Sequence, residues 1–199
     1  HEKVQRMAAV SSVPVVNMLS DHAHPLQALA DVLTMQQVHG PLKGVRIAWV
    51  GDYNNVARSL GEACVMVGAT ITYGCPDGYR PSPEELARLS ALGMGEVHHT
   101  TSRYDAVAGA VAVHTDSWTS MGQETQKQQR IQAFRPYTVT MEMMAKAAPG
   151  AGFYHCLPAY RGLEVAADVI DGPASHVVQQ AHNRLHAQKA ILARILGAA

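Results

Sequence analysis

Short apolar runs alternate with helix-spaced apolar residues along most of this chain. Residues 45–50, 70–73, 110–114 and 153–156 are runs of the length expected for buried strands, and residues 96–99 are a weaker fifth. After the first run, Val56, Leu60, Ala63, Cys64 and Val67 recur at spacings of three and four, and Gly68 follows as a stop, so a helix is predicted there with Cys64 in its packing face. Pro83-Glu84-Glu85 opens another helix, with proline and acids in its first turn. Residues 123–133 are polar and helix-permissive, and a second helical stretch over 138–147 ends at Pro149-Gly150. Strand and helix in alternation predict an α/β fold: a doubly wound, mainly parallel sheet with helices on both faces.

Ahead of this unit, Val13-Pro14-Val15-Val16 reads as extended chain. A helix over 24–38 follows, with Leu26, Leu29, Ala30 and Leu33 on one face, and Gly40-Pro41 ends it. The chain closes on a helix over 177–196, in which Leu185, Leu192, Ile195 and Leu196 supply the apolar side. The predicted organisation is therefore an entry segment and helix over 1–40, an α/β domain over 41–178 and a closing helix over 179–199.

Composition adds constraints. Charged residues make up 16% of the chain, below the usual share of about 25%, so part of the surface is expected to be covered. Lysine plus arginine equals aspartate plus glutamate at 16 each, which leaves no electrostatic case for nucleic acid or an acidic membrane. Three cysteines without a Cys-x-x-Cys pair suggest reduced thiols and a cytoplasmic setting. No apolar run reaches the roughly 18 residues of a membrane span, and no signal peptide is visible. The first residue is His1 rather than Met, so the natural start is expected to lie upstream.

Several loops fall where parallel sheets bind ligands, at the carboxyl ends of strands. His155-Cys156-Leu157-Pro158 ends the last apolar run, and Pro158 removes a backbone donor beside the Cys156 and Leu157 carbonyls. An inert buried cysteine gives the same pattern. Asp116-Ser117-Trp118-Thr119-Ser120-Met121-Gly122 places an acid suited to an ammonium, with hydroxyls, on one loop, although a solvated turn reads alike. Gly51-Asp52-Tyr53-Asn54-Asn55 lacks the glycines a pyrophosphate needs, and its asparagines suit either a small polar ligand or a helix cap. His24-Pro25-Leu26-Gln27 sets His24 and Gln27 at one helix start, where free amides attract polar oxygens; an ordinary helix start is the plainer account. Asn183-Arg184 puts a guanidinium on the last helix, where a surface charge is the common case.

Together these five segments resemble the ornithine carbamoyltransferase family, whose pattern of His-Pro-x-Gln, Gly-Asp-x-Asn-Asn, Asp-x-Trp-x-Ser-Met-Gly, His-Cys-Leu-Pro and a late Asn-Arg recurs here in the same order. The resemblance runs from about Val13 to Leu196. The Ser-Met-Gly loop and the cysteine tetrad point to ornithine rather than aspartate as acceptor. Leu26, Tyr160 and His182 depart from residues common in the family. The family's Ser-x-Arg-Thr loop, which holds carbamoyl phosphate, has no counterpart, so this chain is expected to be inactive alone.

The resemblance implies the Rossmann-like second domain of a transcarbamylase. It implies carbamoyl transfer to the δ-amine of L-ornithine, giving L-citrulline and phosphate, with no cofactor and no metal, in a homotrimer when full length. His24 and Arg184 would contact the carbamoyl oxygen, with Gln27 and the Cys156 and Leu157 backbone at the carbamoyl amide. Asn55, Asp116, Ser120 and Met121 would grip ornithine, and Cys156 would stand beside the attacking amine. Three other readings are set against this one. They are a non-catalytic ornithine- or amino-acid-binding domain, a nicotinamide oxidoreductase already disfavoured by the missing glycines, and metal binding at His182 and His186, one helical turn apart without a third ligand.

Overall fold

A computed structural model of the chain describes residues 1–119, 125 and 127–198. Its strands are β1 (Arg46–Val50), β2 (Thr70–Gly74), β3 (Val97–Thr100), β4 (Ala112–Thr115) and β5 (Gly152–His155). They form one five-stranded sheet in the order β3-β2-β1-β4-β5, with every neighbouring pair parallel. The chain winds from β1 outward to β3, then crosses to the other side for β4 and β5. The doubly wound α/β expectation therefore holds, and the winding reverses between β1 and β4.

The helices among the described residues are α1 (Glu2–Val10), α2 (Pro25–His39), α3 (Asn55–Met66), α4 (Pro83–Ser90), α5 (Arg103–Val107), α6 (Lys127–Phe134), α7 (Met141–Met144), α8 (Ala167–Ile170) and α9 (Val177–Ile195). None is long and apolar enough to cross a membrane. Period-two alternation divides the core between the two faces of the sheet. Ile47 and Trp49 of β1, Tyr73 of β2 and Tyr154 of β5 pack with Met35, Leu60 and Cys64. Ala48 and Val50, with Val113 and Phe153, pack on the other face with Val107, Met143 and Val169. Each large side chain so removed from water contributes about 1.5–3 kcal/mol.

Local sequence sets most helix starts. Asn54 caps α3 by accepting from the amides of Val56 and Ala57, and Ser82, Ser102 and Thr140 cap α4, α5 and α7. The helix expected over 138–147 contracts to α7, because Thr140 caps it and the Lys146 and Ala147 amides reach back only three residues. The short α1, α5 and α8 have too few periodic positions to be read from sequence. The 13–16 run forms no strand.

The apolar side expected of the last helix is corrected. Leu185, Leu192, Ile195 and Leu196 are exposed, while α9 buries Val177, Gln180, Asn183 and Ala187. Likewise α2 exposes Leu29 and buries Gln27, Asp31 and Thr34. These two helices pack on each other through a polar seam, so their buried faces carry amides and an acid that a hydrophobic pattern leaves out.

Candidate active site

The crevice at the carboxyl ends of β1, β4 and β5, where the winding reverses, opens into a cavity of about 790 Å³. Three loops and two helix starts border it. Gly51, with φ of 128°, ends β1 in a conformation that favours glycine and turns the chain into Asp52–Asn55. Asp116 follows β4, and Cys156 stands one residue beyond β5, which ends at His155 rather than at the cysteine. His24 enters from the start of α2, where Pro25 fills the first turn and the imidazole makes no capping bond.

Asp116 is the centre of the polar contacts. It accepts from Asn54 Nδ2 at 2.7 Å, from the Ser117 amide at 2.7 Å and from the Cys156 thiol at 3.1 Å. Burial, and then the neighbouring Asp116 charge, push the Cys156 thiol well above its ordinary range, so it stays protonated. His24 is buried, and its Nδ1 has no partner among the described residues. Burial first, and then the Arg184 charge, hold its pKa below the usual imidazole value. Arg184 is half-buried on α9 and acts electrostatically on both His24 and Asp31.

The cysteine tetrad is fastened from inside. Leu157 adopts a left-handed φ of 58° and joins Pro158 through a cis peptide. Its amide donates to His155 Nδ1 at 2.9 Å, which leaves the imidazole hydrogen on Nε2, 3.4 Å from Glu164 Oε1 though not aligned as a hydrogen bond. Glu164 in turn accepts from the Tyr160 amide. Donor atoms of Asp116, His155 and Cys156 lie within 4.8 Å of one another, a spacing a metal ion could bridge. Here the Leu157 amide takes His155 Nδ1 and the other two residues bond each other, which accounts for those contacts and leaves His155 Nε2 without a hydrogen bond among the described residues. His182 and His186 stack on the exposed side of α9 with ring centroids 5.4 Å apart, away from this cavity.

Of the residues singled out from sequence, His24, Asn55, Asp116, Cys156 and Leu157 line the cavity. Gln27, buried, and Arg184, half-buried, are not among its lining residues, and Asn55 Nδ2 donates to the Ser20 carbonyl at 2.7 Å. Ser120 and Met121 lie outside the described residues. Tyr160 and His182 are exposed, and Leu26 is buried. The sequence reading missed Asn54 as the partner of Asp116. It also missed Arg130, which spans 78 residues to pair with Asp52 and donates to the Trp118 carbonyl. Asp31 was missed as well, although its position four after Gln27 places the two on one helix face.

Two family models match the chain. Residues 43–195 match the aspartate/ornithine carbamoyltransferase Asp/Orn binding domain, and residues 1–37 match the carbamoyl-P binding domain of the same family. The chain is 48% identical over 199 residues to an ornithine carbamoyltransferase of Symbiobacterium thermophilum, covering 98% of the chain and 64% of that relative. It is 47% identical to one of Bacillus subtilis, covering 98% of the chain and 62% of the relative. The chain thus spans somewhat less than two thirds of the length of these curated relatives. Among solved structures, ornithine carbamoyltransferase from Pyrococcus furiosus superposes with a TM-score of 0.93 at 44% identity, covering 100% of this chain and 64% of that one. Ornithine transcarbamoylase from Giardia lamblia gives 0.91 at 31% identity, covering 100% of this chain and 68% of that one.

Proposed function

The chain belongs to the aspartate/ornithine carbamoyltransferase family, and from that premise we propose that the complete protein transfers a carbamoyl group from carbamoyl phosphate to the δ-amine of L-ornithine. The products are L-citrulline and phosphate. The observation that carries this reading is Asp116, an acid held by Asn54, Ser117 and Cys156 at the mouth of the cavity that His24 borders. A carboxylate so fixed suits an ammonium-bearing acceptor, and a histidine bordering the same cavity can face a carbonyl oxygen.

In this reading Asp116, Asn55, Ser120 and Met121 hold ornithine, while His24 and Arg184 face the carbamoyl oxygen. Gln27 and the Cys156 and Leu157 carbonyls take its amide hydrogens. The ornithine amine, with an ordinary pKa near about 10.4, must lose a proton before it attacks. Its nitrogen then bonds to the carbamoyl carbon, an oxyanion forms and collapses, and the carbon–oxygen bond to phosphate breaks. Fixed donors at that oxyanion are worth about 3–4 kcal/mol each. Cys156, kept as a thiol by burial and by Asp116, orients Asp116 and the amine rather than accepting the proton. The first proton goes to solvent before attack, and the second, carried by the nitrogen once it has bonded to the carbamoyl carbon, passes to the departing phosphate.

The same reading makes 41–178 the ornithine-binding domain, 1–40 a remnant of the first domain with its connecting helix, and 179–199 a helix returning toward that domain. It describes a cytoplasmic homotrimer of arginine metabolism. The chain has no Ser-x-Arg-Thr loop, so turnover is assigned to the full-length gene product and not to these 199 residues alone. A steady-state assay decides it: the gene product yields citrulline and phosphate in equal amounts, and no citrulline at saturating substrates refutes the proposal. The missing donor loop favours one alternative, a non-catalytic ornithine-binding domain. Calorimetry separates the two, because only that alternative expects this chain to bind ornithine tightly with no carbamoyl phosphate present.

A further inference from the structure

One carboxylate sits at the centre of the polar seam between α2 and α9. Asp31 is fully buried, and its Oδ1 accepts from Gln27 Nε2 at 2.7 Å and from Gln180 Nε2 at 2.6 Å. Gln180 Oε1 accepts from the His155 backbone amide at 2.9 Å, at the end of β5. These bonds have a fixed direction. A backbone N–H can only donate, so Gln180 must present its oxygen to His155 and its nitrogen to Asp31. An ionised Asp31 only accepts, so Gln27 must also present its nitrogen to Asp31. The Gln27 oxygen is then left over, buried and without a partner among the described residues.

A buried acceptor left unpaired is destabilising, and a ligand donor would remove that cost. We propose that Asp31 is a positioning residue which, through the relay His155–Gln180–Asp31–Gln27, locks the Gln27 carboxamide with its oxygen offered to an N–H donor of the transferred group. The same relay fastens the root of the cysteine tetrad, so two sets of acceptors for one amide group share a buried anchor. Only the identity of that amide group rests on the carbamoyl-transfer reading; the relay itself stands on the geometry.

The surroundings of Asp31 fit an ionisable anchor. Arg184 of α9 favours its charge, Asp116 beyond β4 opposes it, and its field reaches Cys64 of α3, Tyr154 of β5 and Cys156. Burial outweighs the amide bonds and raises its carboxyl to about 6. The test is nuclear magnetic resonance on the full-length gene product, following the Asp31 carboxyl carbon, the Gln27 and Gln180 side-chain amides and the His155 backbone amide against pH. All four are expected to shift with one midpoint near the Asp31 value of about 6, and the three amides to lose that midpoint in Asp31→Asn. Separate midpoints, or a common one that survives Asp31→Asn, overturn the relay.

A second measurement reads the polarity. In the full-length gene product, Asp31→Leu should cost about tenfold in the preference for carbamoyl phosphate over acetyl phosphate, which lacks the N–H donors, because carbamoyl phosphate loses more. Equal losses for both ligands overturn the assigned orientation. Absence of turnover with the relay intact in the spectra would count against the carbamoyl-transfer reading and leave the relay standing.

Discussion

The Cys156 thiol donates to Asp116 Oδ1 across 3.1 Å, linking the end of β5 to the end of β4 where the cavity opens. Because the charge of Asp116 adds to burial in keeping the thiol protonated, Asp116→Asn should lower its pKa. Lowering the pKa by about one raises the thiolate fraction, and with it alkylation, by about tenfold. Mass mapping of the Cys156 peptide after iodoacetamide treatment measures the rate, and an unchanged rate would show that Asp116 does not control the thiol. Cys64 and Cys75, both buried with their thiols pushed upward, are expected to stay unmodified in the folded protein.

Arg130 reaches the Asp52 carboxylate and the Trp118 carbonyl, and its guanidinium lies over the Tyr79 ring with the carbon 5.0 Å from the centroid. Arg130→Met leaves the partly buried Asp52 carboxylate without this partner, at a cost of about 1–3 kcal/mol. Adding Asp52→Asn should recover part of that loss. Urea unfolding of the two single variants and the double variant measures the coupling; strictly additive effects would mean that the pair contributes nothing.

Gly61 has no room for a side chain. A Cβ there would lie 1.8 Å from the Tyr73 hydroxyl, which donates to the Ala57 carbonyl at 3.1 Å. Gly61→Ala must displace Tyr73 from the core beneath α3 and should destabilise the protein by about 1–3 kcal/mol. Tyr73→Phe in the same background should restore part of it. Thermal unfolding checks both.

Asp31 imposes a pH dependence on stability. Its folded pKa is raised from 3.8 to about 6, so between those values the folded state binds more protons than the unfolded state. Stability therefore falls as pH rises through this window, by about 3 kcal/mol if the whole difference is expressed. Asp31→Asn removes the titration, so the wild type should lose stability relative to the variant between about pH 4 and pH 6. Parallel stability curves for the two proteins would contradict this.

Much of the fold was legible because the core follows simple periods. Ile47 and Trp49 face one way and Ala48 and Val50 the other, and Val56, Leu60 and Cys64 recur at helix spacing against them. The site loops were legible for a related reason: His24, Asn55, Asp116 and Cys156 all follow strands or open helices, where sheet geometry gathers ligands. Residues whose partners are remote in sequence were not legible. Arg130 looks like one polar residue among several in Lys127–Phe134, and its role depends on Asp52 and Trp118.

By itself the sequence determined the alternation of strands and helices, the burial of Cys64 and the placing of His155-Cys156-Leu157-Pro158 at a strand end, since each follows from local spacing and backbone preference. Only the tertiary structure decided what those pieces touch. It set Cys156 against Asp116, and it made the buried side of α9 the face with Gln180 and Asn183 rather than the one with its leucines. The physical reason is that hydrophobic burial is roughly additive along the chain and leaves a periodic trace, whereas a hydrogen bond needs both partners. Asp31 and Gln180 become meaningful as a pair only when folding brings residues 149 apart to within 2.6 Å.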